Sequence, residues 1–427
     1  MIKHFLYNSK DQERSAYIWN TASAMLNAFQ TVFILMLISR IDPINDAGVF
    51  TIAFAIGNLM MTIGRYGIRQ FQVSDVKEKY SFKEYFYSRI FTSIATVAVS
   101  LAYVGYQYVD GLYNAEKSAV VFLVCMAKLV DAFEDVLHGM LQQYRRLDIA
   151  GKILTLRMGG YIVIYMAVYA VTRNLVVTSA VSFMLSVIMF LVLNMAALKG
   201  FEVANKRLSL SKIKELLLEG FPLFLSSYFV MYIGNAPKYA IDKVLSSEDQ
   251  ACFNYIFMPV FVIGLMSQFV YQPVIHKLAI MWHKGEKEAF GKIILQQMGI
   301  ILVLTLAAMT GGYLLGIPVL SLIYGVNLKG YRTDLLVLLA GGGMLAFVNL
   351  FHMIITVAEL ADMGISAGVS CFCSRRKSYS GIFWTFRCFC ILFYCSRNSC
   401  FTFWYYDWRY CQGKEEYCHK TEIKLLK

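Results

Sequence analysis

Charge is scarce in this chain. Only 16% of its 427 residues are Asp, Glu, Lys or Arg, where a soluble domain carries about 25%. One or two water-facing cores of this length are thereby excluded. Long polar linkers are missing too: the loops between apolar blocks run to about two dozen residues, too short for an independent catalytic domain. Before residue 371 there are only two cysteines, Cys125 and Cys252, so no disulfide framework is expected. Residues 1–15 are polar and charged without an apolar core or cleavage site, and no signal peptide is read there. Gly-rich Lys-Ser/Thr nucleotide loops are absent. The nearest approach to a catalytic group is His138, a histidine inside an apolar segment that would suit a membrane acyltransferase. It has no second His or Ser partner in a comparable position.

What is present is apolar. Hydrophobic residues make up 58% of the chain and the mean hydropathy is +0.54. They come in blocks of 18 or more, long enough to cross the ~30 Å hydrocarbon layer at ~1.5 Å per residue. The expected fold class is an all-α polytopic membrane protein. Ten spans are predicted, near 16–39, 47–64, 88–109, 118–140, 153–172, 175–198, 217–236, 251–274, 294–316 and 335–358. The net charge of +12 sits in short clusters between these blocks, which encodes topology rather than nucleic-acid binding. The N-terminus and the even-numbered loops hold 22 Lys and Arg against 7 in the odd-numbered loops. The positive-inside bias thus places the N-terminus in the cytoplasm of a multi-pass protein of the cell (inner) membrane.

Asp46-Ala47-Gly48-Val49-Phe50 opens the second span and Asp249-Gln250-Ala251-Cys252-Phe253 the eighth. This echo six helices apart predicts two related halves, a common plan for transporters with a site at the repeat interface.

The fourth span carries the densest polar pattern. Lys128, Asp131, Asp135, His138 and Gln142 are spaced +3, +4, +3, +4 and fall within an arc of about 80° on one helix face. Arg146 extends that face. A central Asp or Lys facing lipid costs ~2.5–3.5 kcal/mol, so the face should look into protein or water. Two readings stand: a solvated transport cavity with a coupling role for these residues, and an interhelical salt-bridge ladder that fixes packing. Matching stripes are Asn20, Ser23, Asn27 and Thr31 on the first span, and Asn58, Thr62, Arg65, Arg69 and Gln72 on the second. Arg157, Tyr161, Tyr165 and Tyr169 line the fifth, and Tyr228, Tyr232, Asn235 and Tyr239 the seventh. Asn and Ser also glue membrane helices together, and tyrosines also form interfacial belts. Taken together the stripes give a polar, cation-rich interior. Arginine suits phosphate through bidentate, charge-assisted bonds, and tyrosine offers sugars an apolar face and a hydroxyl. Gly341-Gly342-Gly343 in the tenth span reads as close packing or a hinge.

Gly48-Val49-Phe50 followed by Arg65-Tyr66-Gly67 and Arg69-Gln70 resembles the first helix pair of the bacterial polysaccharide flippases. Leu141-Gln142-Gln143-Tyr144-Arg145-Arg146-Leu147-Asp148, Gly220-Phe221-Pro222-Leu223-Phe224-Leu225 and Gln272-Pro273 are similar to the same family. The most specific match is Asn235-Ala236-Pro237-Lys238-Tyr239-Ala240-Ile241-Asp242. The resemblance covers roughly residues 10–358. That family, which moves lipid-linked oligosaccharides, belongs to the multidrug/oligosaccharidyl-lipid/polysaccharide exporter superfamily. The resemblance implies two six-helix bundles with alternating access and an undecaprenyl-diphosphate-linked oligosaccharide as cargo for surface polysaccharide such as O-antigen or capsule. It also implies coupling to an ion gradient, with no cofactor, metal or enzymatic step. Residues 1–198 would form one bundle and 199–358 the visible part of the second. The expected substrate-binding residues are Arg65, Arg69, Asn27, Arg146, Arg157, Lys238, Asp242 and Gln272. Lys128, Asp131, Asp135 and His138 are expected in the cavity or coupling path. The implied partners are the lipid-linked substrate, membrane lipids, and a glycan polymerase with its assembly proteins. The alternatives are a drug/cation antiporter of the same superfamily, which predicts a carboxylate-dominated cavity, and a membrane glycan polymerase or acyltransferase.

Residues 359–427 depart from the rest. Eight cysteines crowd into 371–418, and three of the five tryptophans follow residue 358. Cys codons begin TG, so a shift of one base turns them into Val or Ala codons, and Trp into Gly. The tail is therefore read as a reading-frame shift within the expected second bundle. The competing reading is a genuine Cys-rich tail that binds metal or carries lipid, although its Cys-Phe-Cys spacing is short for a zinc site.

Overall fold

The computed structural model describes residues 2–363 except 10, 43–44, 76–78, 202–207, 272–273, 275–277, 279–280 and 283–284. Gln272 and the tail from 364 onward, with its Cys pairs, lie outside the described residues. Those described are helical, and the ten predicted spans are all long helices. They are α2 (Gln12–Ile41), α3 (Asn45–Arg65), α5 (Phe82–Val109), α6 (Ala115–Gln143) and α7 (Leu147–Thr172), then α8 (Leu175–Leu198), α9 (Leu210–Val244), α10 (Ser247–Tyr271), α11 (Lys287–Gly311) and α13 (Arg332–Met363). Two shorter helices, α1 (Ile2–Tyr7) and α4 (Ile68–Ser74), complete the first half; a π turn at Gly312–Gly316 leads into α12 (Ile317–Tyr324). Eight helical stretches are long and apolar enough to cross a membrane on composition alone. α6, with its many ionisable residues, is not among them; the groups that shield it are described below. The chain is an all-α polytopic membrane protein.

Helix starts follow the local chemistry. Asp11, Asn114 and Asn174 accept from the backbone N–H three residues on, and Ser81 with Glu84 forms a reciprocal capping box. The tenth span runs on to Met363, past the predicted limit at 358. Residues 2–7 are helical as well, which their polarity did not announce. Leu6 is fully buried with Leu141, Ile149, Ile153 and Leu193. Lys152 donates to the Phe5 and Leu6 carbonyls at the end of α1, where a cation complements the helix dipole.

The two echo segments meet. At the opening of α3 a Cβ on Gly48 would overlap the Ser247 carbonyl at the opening of α10, so glycine permits the close approach of the two halves. α9, by contrast, is docked along its length on the first half. Tyr66 stacks on Phe224 at 4.5 Å and 7°, and the Tyr239 hydroxyl donates to the Ala55 carbonyl at 3.1 Å. In the second half Gly342 and Gly343 abut Val260 of α10 and Thr305 of α11, which is the close-packing role.

Candidate functional site

The charged face of α6 is buried among α2, α4, α5, α7 and α8, and its groups divide into two networks. In the first, Lys128 donates to Gln30 of α2 (3.0 Å) and to Asp131 (3.3 Å). Arg157 of α7 bridges Asp131 (2.6 Å) and Glu134 (2.8 Å), and Asn194 of α8 donates to Glu134 (2.9 Å). His138 Nε2 lies 4.0 Å from Glu134. Beside these groups is a small cavity lined by Gln30, Lys128, Asp131, Arg157, Tyr161 and Ser186. Two cations face two carboxylates here, and the charges balance.

The second network does not balance. Asp135 receives Arg69 at 3.1 Å and Arg89 of α5 at 3.4 Å. Arg89 is fully buried and also donates to the Gly64 carbonyl, as does Thr92 (2.8 Å). Arg69 reaches Gln142 as well (3.1 Å), and its side chain stays one-third exposed. Arg65 lies near enough to act on Asp131 and Asp135, yet it makes no ion pair among the described residues, and its Nε is buried without a partner. Setting His138 aside, among the described residues five cations (Arg65, Arg69, Arg89, Lys128, Arg157) meet three carboxylates (Asp131, Glu134, Asp135). The surplus of two positive charges sits on the Arg65/Arg69/Arg89 side.

Arg65 and Arg69 are not on one continuous helix, as their spacing had predicted. Tyr66 (φ 49°) and Gly67 (φ 67°) both adopt the left-handed conformation and separate α3 from α4. Glycine takes that conformation freely, whereas a bulky Tyr there is strained. The stack on Phe224 holds Tyr66 in place. A Cβ on Gly67 would press on Leu223 of α9, so the break is also where α9 docks.

Other predicted residues lie elsewhere. Arg146 forks onto Asp148 (2.9 and 3.1 Å) and lies over the Tyr7 ring, so it anchors α1 rather than extending the α6 face. The pKa of Tyr7, at the end of α1, is raised by burial, against the opposing pull of Arg146. Asn27 is exposed on α2; Gln30, one turn on, is the residue that reaches the network. The α7 tyrosines, expected to face sugar, are buried and engaged: Tyr165 with Ser179 (3.3 Å), Tyr169 on Asp46 (2.7 Å). Tyr232 of α9 is exposed and 5.5 Å from Tyr239. Asp242 accepts from Lys117 (2.7 Å) and Tyr113 (2.6 Å), linking α9 to the first half at the face opposite the N-terminus. Burial, and then the Asp242 carboxylate, push the Tyr113 phenol well above its usual pKa. Lys238 lies 5.3 Å from the Phe257 ring and has no acidic partner among the described residues.

Glu134, Arg89, Asn194 and Gln30 were not foreseen. Glu134 falls one position off the counted stripe. Arg89 had a signal: with Thr92, Thr96 and Ser100 it forms a polar row at helical spacing on an otherwise apolar helix.

No family model matches the sequence, and no curated protein matches it closely enough to count as a relative. Solved structures do match. An inward-facing multidrug resistance MATE family transporter of the MOP superfamily aligns over 81% of this chain and 84% of its own, with a TM-score of 0.50 and 15% identity. The chain has the MATE transporter fold. The outward-facing conformation of such a MATE transporter gives 0.49 and 16% identity over 84% of this chain and 85% of that one.

Proposed function

We propose that this chain moves an anionic lipid-linked oligosaccharide, of the undecaprenyl-diphosphate type, across the cytoplasmic membrane for surface polysaccharide synthesis. The observation that carries the reading is the unbalanced network. A surplus of two positive charges carried by half-buried side chains within the helix bundle favours an anion that joins it, and guanidinium groups suit the oxygens of a diphosphate. Arg65, with an unpartnered Nε, and Arg69, partly exposed, are the groups with capacity left. The MATE fold supports a transporter, and the sequence motifs support the flippase branch. With basic loops in the cytoplasm, the arginines meet the headgroup at the face where it is made. A six-helix bundle of residues 1–198 and a second bundle that includes residues 199–358 are part of the same proposal.

A drug/cation antiporter is the second reading, because the structural neighbours named above are multidrug transporters. It requires a carboxylate surplus where substrate binds, and the first half has the opposite surplus. Deleting the gene separates the two readings. Accumulation of unflipped lipid-linked oligosaccharide on the cytoplasmic face supports the flippase; unchanged oligosaccharide with new drug sensitivity supports the antiporter.

A further inference from the structure

Lys238 and Asp242 are one helical turn apart on α9, close enough to pair with each other, yet they do not. Asp242 is taken by Lys117 and Tyr113 of the first half, and its side chain is 4% exposed. Lys238 is left half-buried beside Phe257, with no acidic partner among the described residues. It also lies deep: the adjacent Tyr239 bonds to Ala55, midway along α3. An ammonium group without a counter-charge at that depth marks a functional site.

We propose that Lys238 is a second anion site, on the second half, whose charge is exchanged between the substrate's phosphate and Asp242. The inference rests on the anionic-substrate reading above. While Lys117 holds Asp242, the two halves are latched at the face opposite the N-terminus, and Lys238 is free to take an anion. When the latch parts, Asp242 would be a buried carboxylate without a partner, a costly state. Lys238, one turn away, supplies the replacement and gives up its anion in doing so. Release of the anion and opening of that face are thus one exchange of partners: Asp242 and Lys238 are each paired in both states, and Lys117 is left to the water of the opened face.

The test is binding of farnesyl diphosphate, a short isoprenyl diphosphate, to the purified full chain in lipid nanodiscs. Lys238→Gln should weaken binding about tenfold, one charge-assisted contact. Lys117→Gln frees Asp242 to occupy Lys238 and should weaken binding about fivefold, at the low end of site-to-site coupling. The double variant Lys117→Gln/Asp242→Asn removes the competitor and should restore affinity, which a merely structural latch would not do. Native affinity in Lys238→Gln, or equal weakening in the single and double latch variants, overturns the exchange. The Arg65→Gln/Arg69→Gln variant separates the two ideas. Weakening there with no effect at Lys238 overturns this inference and leaves the substrate reading standing, while native affinity in every variant overturns both.

Discussion

The two halves of the chain are held together by different chemistry. Among the described residues, seven ion pairs lie inside the first half and three bridge the halves through Lys79 and Lys117; none lies inside the second. α3 is buried along most of its length, whereas α9 buries only Ile213, Leu216 and Gly220. The first half therefore closes on its own ionic core. The second half, as described, leans on the first through α9 and the start of α10. Such a division suits the proposed transport, with one body carrying the fixed charges and the other moving against it.

The largest expected effect comes from breaking the balanced network. Arg157→Gln leaves Asp131 and Glu134 buried without their shared cation, which costs about 3–5 kcal/mol. Thermal unfolding of the detergent-purified protein should show a large loss of stability; a native melting curve would mean the first half does not depend on this core. Reversing the pair as Lys128→Asp/Asp131→Lys sharpens the point. Simple pairing predicts recovery, but Arg157 lies 2.6 Å from Asp131, so the new lysine would face a guanidinium and the double variant should stay impaired. Recovered stability would show that Lys128 alone is the partner of Asp131.

The bridges should matter less, and unequally. At the N-terminal face Lys79 meets Glu215 and Glu219, with all three side chains 41–50% exposed. Those carboxylates, with the Tyr80 contact, raise the Lys79 pKa, while burial raises the pKa of Tyr80 to about 12. Solvent-screened pairs of this kind contribute about 0.2–1 kcal/mol. Lys79→Ala should shift the melting temperature only slightly. A shift as large as that of Arg157→Gln would erase the distinction between core and bridge.

Much of this was legible in the residues. Ten spans follow from apolar blocks of membrane length, and the +3, +4 spacing on α6 identified Lys128, Asp131, Asp135 and His138 as one inward face. That spacing could not show that the face would split, because neighbouring helices decide which side of a carboxylate is met. Arg157 and Lys128 draw Asp131 one way; Arg69 and Arg89 draw Asp135 the other. Nor could it reveal the break at Tyr66-Gly67, where a stack with a residue over 150 positions away holds a bulky side chain in a strained conformation. Arg146 was misplaced for a similar reason: Asp148 and Tyr7 compete for it, and local spacing records no competitor.

The central claim is that Arg65 and Arg69 bring surplus positive charge to a diphosphate headgroup. It is tested most directly by flipping of a fluorescent polyprenyl-diphosphate oligosaccharide in proteoliposomes containing Arg65→Gln/Arg69→Gln. With normal insertion and melting behaviour, that variant should lose at least about tenfold in flipping rate, the worth of one charge-assisted contact. Flipping at the native rate would contradict the account.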